Sequence, residues 1–187
     1  MTQRFELDPA HTIIGFTSKH LAVTTVRGTF QKFSGWFEGD RKNPGTLTGE
    51  VTVDVMSLTT GTEQRDNHLR SPDFFGAEEH PVAVYRPISA KTIREGVYQV
   101  QGELTIRKIT KPLVLKVKIA GELDHPYKPG SRIVSLTASG ALRRKDFGLN
   151  WDGIAGTLPI ASNEIKLEID AELVSVANVE ARPTAQT

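Results

Sequence analysis

The chain has 187 residues, 38% of them hydrophobic, and its 23 basic and 22 acidic side chains leave a formal charge of +1. That balance gives no overall attraction to nucleic acid or to an anionic membrane, and the absence of cysteine removes disulfides, thiolate metal sites and cysteine nucleophiles. No run approaches the ~20 apolar residues of a membrane span, and residues 1–12 lack the apolar stretch of a signal peptide, so one cytoplasmic β domain over residues 1–187 is expected.

Phe5 to Asp8 begins an extended segment that Pro9 interrupts. Thr12 to Ser18, TIIGFTS, is β-branched and aromatic and reads as a strand. A turn at Lys19-His20-Leu21 leads into Val23 to Phe37, one long strand or a bent pair, with Gly28 and Gly35 as places to bend. Asn43-Pro44-Gly45 is a turn signal. Beyond it Leu47, Gly49, Val51, Val53 and Val55 alternate with polar residues, so the odd positions face inward.

Residues 59–75, TTGTEQRDNHLRSPDFF, break this alternation. Thr62 is placed to cap a short helix through its hydroxyl, and Glu63 suits the first turn of its dipole. Arg65, His68 and Leu69 then share one face. Ser71-Pro72 starts a second turn, which Gly76 can end in a left-handed conformation. A short helical insert near residues 62–76 of a strand-rich chain is expected to cover one end of a barrel.

Strands resume at Val82 to Arg86, ahead of Pro87, and Lys91 to Ile93 precedes a hairpin turn at Glu95-Gly96. Tyr98, Val100, Gly102, Leu104 and Ile106 share one face, and Lys111-Pro112 reads as a break. Leu113, Leu115, Val117 and Ile119 form the next inward face. After a loop at residues 124–130 come Leu136, Ala138, Gly140 and Leu142, then a single helical turn from Arg143 to Phe147. Ile165, Leu167, Ile169, Ala171 and Leu173 make the last inward face, and residues 181–187 are a polar tail expected to fray.

Seven or eight antiparallel strands with one apolar face each can build a sandwich or a closed barrel. An eight-stranded barrel has an interior just wide enough for side chains or one small ligand. Small residues at the inward positions 49, 102, 138, 140 and 171 favour a cavity. Arg65, His68 and Arg70 could meet an anionic or quinone head group, and His11 and His20 flank the first full strand near a pocket mouth. The three histidines match no metal-ligand spacing, so no metal and no cofactor is expected. Phe74 and Phe75 read as a plug. No G-x-S-x-G pattern or phosphate-binding glycine loop occurs. Glu78-Glu79, Arg107-Lys108 and Arg143-Arg144-Lys145 read as exposed faces, with no nucleic-acid partner implied.

Several stretches together resemble the YceI-like family of bacterial polyisoprenoid-binding proteins. FELDPAHTIIGFTSKHLAVTTVRGTF is similar to the family's opening, and DVMSLTTGTEQRDNHLRSPDFFGAEEHPVAVY to its most distinctive segment. GELTIRKITKPLVLKV resembles a family strand pair, although Lys108 stands where glycine is more usual, and RRKDFGLNW resembles a late turn. The resemblance runs from about Phe5 to Leu173. It implies an all-β, eight-stranded antiparallel lipocalin-like barrel that binds, and carries or stores, an isoprenoid or other long-chain lipid without catalysis. It also implies a homodimer. On that reading Phe16, Phe30, Val51, Val53, Phe74, Phe75, Leu104, Leu115, Val117, Leu136 and Ile169 line an apolar pocket. Arg65, His68, Arg70, His20 and His11 stand toward the head group. Two alternatives remain open: an enzyme acting on a small apolar substrate in the same pocket, and an interaction module whose barrel is filled by its own side chains.

Overall fold

The computed structural model describes residues 2–40 and 42–176, so the tail expected at residues 181–187 lies outside the described residues. In chain order the strands are β1 (Gln3–Leu7), β2 (Ile13–His20), β3 (Thr24–Phe30), β4 (Phe33–Asp40), β5 (Asn43–Asp54) and β6 (Leu58–Thr59). The helix α1 (Glu63–Arg70) follows, then β7 (Val82–Arg94), β8 (Val97–Ile106), β9 (Ile109–Asp124) and β10 (Arg132–Arg143). A small hairpin of β11 (Ile154–Ala155) and β12 (Leu158–Pro159) precedes the long β13 (Ala161–Ser175).

Eight of these strands close on themselves in the order β1-β4-β5-β7-β8-β9-β10-β13, and β13 returns to β1 with Phe5 opposite Ser175. All pairings are antiparallel. Closure gives every one of these eight strands a partner on both sides, which limits the template for edge-to-edge aggregation. The expected all-β barrel is therefore present.

The first three passes of the chain are each broken in two at one level of the barrel. Between β1 and β2, Asp8 bends the chain by accepting the Ala10 amide at 2.9 Å. Between β3 and β4, the amides of Gln31 and Lys32 turn to the Ser57 hydroxyl at 3.1 and 2.9 Å. Between β5 and β6, Asp54 caps a 3-10 turn at Val55–Ser57 by accepting the Met56 amide. Beyond these breaks β2 stays on β13, β3 pairs with β2, and β6 pairs with β3. No ladder joins β6 to β7, whose pairing with β5 ends at Asp54 opposite Val82. Helix α1 and residues 71–81 stand in that seam, where Val55, Leu58, Phe74 and Ala77 are buried.

Four local expectations change. Pro87 lies inside β7, where the register slips between Pro87 and Ser89, so its missing donor is absorbed by a bulge. Pro112 lies inside β9 opposite Glu103, beyond the stretch of β9 that β10 covers, and the turn falls instead at Arg107 and Lys108, with φ of 51° and 65°. Asn43, Pro44 and Gly45 belong to β5, because Asp40 already pairs with Asn43. The inward glycines at positions 49, 102 and 140 leave no space: an added Cβ would come within 2.9 Å of the Phe37 ring, 2.6 Å of the Tyr85 ring and 2.8 Å of Leu115 respectively. Neighbouring side chains have folded across them.

Tyr85 carries a cost in this packing. Its ring is buried over Gly102, its hydroxyl has no partner among the described residues, and burial pushes its pKa up to about 12. A buried hydroxyl without a partner costs ~1–3 kcal/mol. Tyr85→Phe is therefore expected to raise unfolding free energy by ~1 kcal/mol in chemical denaturation, and a loss of stability would show that the hydroxyl is satisfied.

Candidate functional site

The barrel interior is not filled by side chains. It encloses a cavity of about 490 Å³ whose walls are almost entirely apolar. Along β13 the lining runs from Ala161 to Leu173, so the cavity spans the barrel from the helical end to the end where β1 closes on β13. All eleven apolar side chains named from the sequence border it, as do Ala138 and Ala171 of the small inward set. Phe74 and Phe75 lie at its helical end, where Phe30 meets Phe75 edge-on at 6.2 Å between ring centroids. The two alanines, rather than the covered glycines, are the small residues that widen it.

The five polar residues named from the sequence divide. Arg65, His68 and His20 line the helical end of the cavity; Arg70 and His11 do not. Arg65 is held by neutral groups, its Nε donating to the Thr60 hydroxyl at 2.7 Å and its Nη2 to the Thr60 carbonyl and Thr62 hydroxyl at 3.0 and 3.1 Å. The Thr62 hydroxyl thus serves Arg65 and makes no side-chain cap for α1. His68 sits between the edges of Phe74 and Trp151, at 5.1 and 4.9 Å, with Nε2 2.9 Å from Asp73 Oδ2. In His20, Nδ1 lies 3.0 Å from the Ile160 carbonyl and must donate to it, which leaves Nε2 as the acceptor of the neutral ring.

Arg70 is structural: it donates to the Leu58 carbonyl and, at 3.1 Å, to Asn67 Oδ1. His11 stands outside the barrel at the β1–β2 break, 2.8 Å from Asp8 and 3.7 Å from Glu172. These three side chains are the described residues' one grouping with metal-compatible spacing, their ligand atoms lying within 4.8 Å of one another. None of the three borders the cavity, and the hydrogen bond between Asp8 and His11 lowers the carboxyl and raises the imidazole pKa.

Two cationic residues of the cavity lining were not assigned to it from the sequence. Arg144, expected on an exposed basic face, is only 4% exposed and borders the cavity. It donates to the carbonyls of Leu149 and Ser162 and to Asp152 Oδ1 at 3.2 Å, with its guanidinium over the Phe74 ring. The signal existed, because the inward phase of Leu136, Ala138, Gly140 and Leu142 reaches position 144 next. Lys19, on the rim, folds its ammonium onto the Val23 carbonyl and the Thr25 hydroxyl at 3.1 and 2.8 Å. Among the described residues no carboxylate lies within ion-pair distance of Lys19 or Arg65. The helical end thus gathers Lys19, Arg65 and Arg144, whereas Glu38 and Asp40 border the other end.

Asp66 fixes the insert that carries Arg65 and His68. It is 5% exposed and accepts from the Thr60 amide at 2.8 Å and from the hydroxyls of Thr59 and Thr60. Burial pushes its pKa up, but the bonds from Thr60 and Thr59 outweigh that, and the net value lies below the ordinary carboxylate range. A folded value below the unfolded one stabilises the fold at every pH above the ordinary range. That contribution is lost as pH falls through the folded value. Acid unfolding below about pH 4 is accordingly expected to be steeper in the parent than in Asp66→Asn, and matching stability–pH slopes in the two proteins would contradict it.

Comparison with known proteins places this geometry. A YceI-like domain model matches residues 5–173. A UPF0312 protein of Pectobacterium carotovorum is 34% identical over 169 residues, covering 90% of this chain and 84% of that one. Among solved structures, BcnA of Burkholderia cenocepacia superposes with a TM-score of 0.75 at 20% identity, covering 91% of this chain and 99% of that one. A polyisoprenoid-binding domain from Saccharophagus degradans has a TM-score of 0.63 at 15% identity, over 92% and 98% of the two chains.

Proposed function

The chain belongs to the YceI-like family, and from that premise we propose that it binds a single isoprenoid-type amphiphile lengthwise in the barrel and carries or stores it without chemical change. The observation that carries this reading is the apolar cavity running the length of the barrel with cations gathered at one end. From Ala161 to Leu173 a strand advances roughly 40 Å, or roughly 30 Å along the axis of a barrel whose strands tilt by about 40°. A cavity of about 490 Å³ whose lining extends over such a length is elongated. That shape suits one linear chain better than a compact ring system. The chain gains ~0.8 kcal/mol for each buried methylene-sized unit, before the entropy of ordering it is subtracted.

The polar head belongs at the helical end. Arg65, with no carboxylate partner among the described residues, favours a phosphate or a quinone oxygen, Lys19 adds a second cation to the cavity lining, and His20 Nε2 adds an acceptor for a hydroxyl. His68, tied to Asp73, positions the aromatic wall and touches the head only through its ring. The fold shared with the Saccharophagus polyisoprenoid-binding domain points the same way.

Native mass spectrometry before and after organic extraction is the direct test. A mass loss in the lipid range supports the reading; an empty cavity that also takes up no farnesyl or longer prenyl probe defeats it. Two substitutions refine the result. Val117→Trp is expected to cut prenyl-chain uptake with little thermal destabilisation, because the ring enters open space, whereas overpacking a solid core would cost ~1–3 kcal/mol. Arg65→Ala is expected to weaken a prenyl phosphate by about tenfold or more relative to the matching prenol, since a charge-assisted bond contributes ~1.5–3 kcal/mol. Equal weakening of both ligands would remove Arg65 from the head-group site.

A further inference from the structure

Two hairpin tips flank the cationic rim of the cavity. In the β2–β3 tip, Leu21 and Ala22 take positive φ of 50° and 61°, and the turn lifts Val23 to 76% exposure. In the β11–β12 tip, residues 154–159 are all exposed and carry no charge, with Ile154 at 67% and Leu158 at 44% exposure. Ile160 ties the tips together: its carbonyl accepts the Leu21 amide at 3.2 Å, its amide donates to the Gly153 carbonyl at 2.8 Å, and its side chain borders the cavity.

Asp152, just before the second tip, is paired with Arg144 and Lys145, which leaves the free charge beside the first tip. The Lys19 ammonium rests on the Val23 carbonyl, at the base of the first tip, and has no acidic partner among the described residues. Arg65 lies on the same rim. An apolar tip with cations at its base is the arrangement that seats a side chain among acyl chains while the ammonium reaches the phosphate layer. The opposite end of the cavity is bordered by Glu38, which an anionic surface repels. The overall charge of +1 is too small to attract a membrane; the local placement orients the protein on one.

We infer that the two hairpin tips dock the cavity mouth on an anionic lipid bilayer, so that the amphiphile passes between membrane and barrel without crossing water. The inference rests on the lipid-binding reading above. Val23, Ile154 and Leu158 enter the acyl region, while Lys19 and Arg65 meet lipid phosphates. A protein partner would also cover apolar side chains, but it would not need uncharged tips beside Lys19 and Arg65 at the end of the cavity that a lipid would use.

The absence of cysteine allows one environment-sensitive fluorophore to be attached at a chosen position. Ile154→Cys carrying such a dye is expected to shift to the blue on vesicles of equimolar phosphatidylcholine and phosphatidylglycerol, and less on phosphatidylcholine alone. Tyr127→Cys, in the exposed loop at the other end of the barrel, is expected to stay unchanged. Adding Val23→Asp and Leu158→Asp should lower vesicle binding by at least about tenfold. Equal responses at 154 and 127, no response at 154, or a response at 154 that follows protein concentration without vesicles would each overturn the docking surface, the last in favour of a second copy. Uptake of a prenyl probe from detergent micelles separates the two readings: it persists in the Asp variants if only the docking is wrong, and fails in the parent protein if the cavity reading is wrong.

Discussion

The seam between β6 and β7 is the constraint on which the rest of the molecule depends. A barrel that breaks three consecutive strands at one level gives up the backbone pairing that would close its helical end, and exposed ladder groups there would be costly. Polar anchors replace the missing ladder. Asp66 gathers Thr59 and Thr60, Arg70 takes the Leu58 carbonyl, and Arg107 reaches from the β8–β9 turn to the carbonyls of Phe74 and Gly148 at 2.8 and 2.9 Å. Each anchor is a charged group bonded to neutral partners, so it needs no second buried charge. With those bonds made, Phe74 and Ala77 can bury, and the insert becomes a wall of the cavity.

How much of this was legible follows from periodicity. Strands with one wet and one dry face announce their inward side by alternation, and a register slip would reverse every side chain at once. Leu104, Val117 and Ile169 therefore came out on the correct face, and β13 could be followed residue by residue. Proline misled at positions 87 and 112 because its meaning depends on whether a neighbouring strand needs that amide, which only the pairing reveals. Glycine misled for a related reason: at positions 49, 102 and 140 the space a missing side chain leaves is taken by a ring or a leucine from the next strand.

The polar end was harder to read than the walls. Arg65 and Arg70 are five residues apart on one short helix, yet one faces the cavity and the other is consumed by Leu58. Helical spacing already sets Arg70 off the face that Arg65 shares with His68 and Leu69, but that its guanidinium would be spent on the Leu58 carbonyl depends on where β6 passes beneath the helix. Arg144 was hidden by its neighbours Arg143 and Lys145, which make a basic cluster look like a solvated face. Burial of one arginine among exposed ones is a tertiary property, set here by the carbonyls of Leu149 and Ser162 that converge on it.

The same three strand breaks that demand a plug also shape the mouth. Beyond them β2 and β3 are supported by β13 on one side only, with two residues of β6 on the other. Their tip is thus free to project past the barrel, as Val23 does. A continuous barrel would have bound these residues into the wall and ended flush. Closure at the β1–β13 end and interruption at the helical end are therefore complementary. The first completes the wall of the long apolar cavity, and the second sets Arg65 and His68 at its helical end. A ligand mostly of hydrocarbon can be gripped along its whole length with few directed bonds, so the polar residues need only choose its orientation. On the proposed reading, the cations at the helical end would supply that choice.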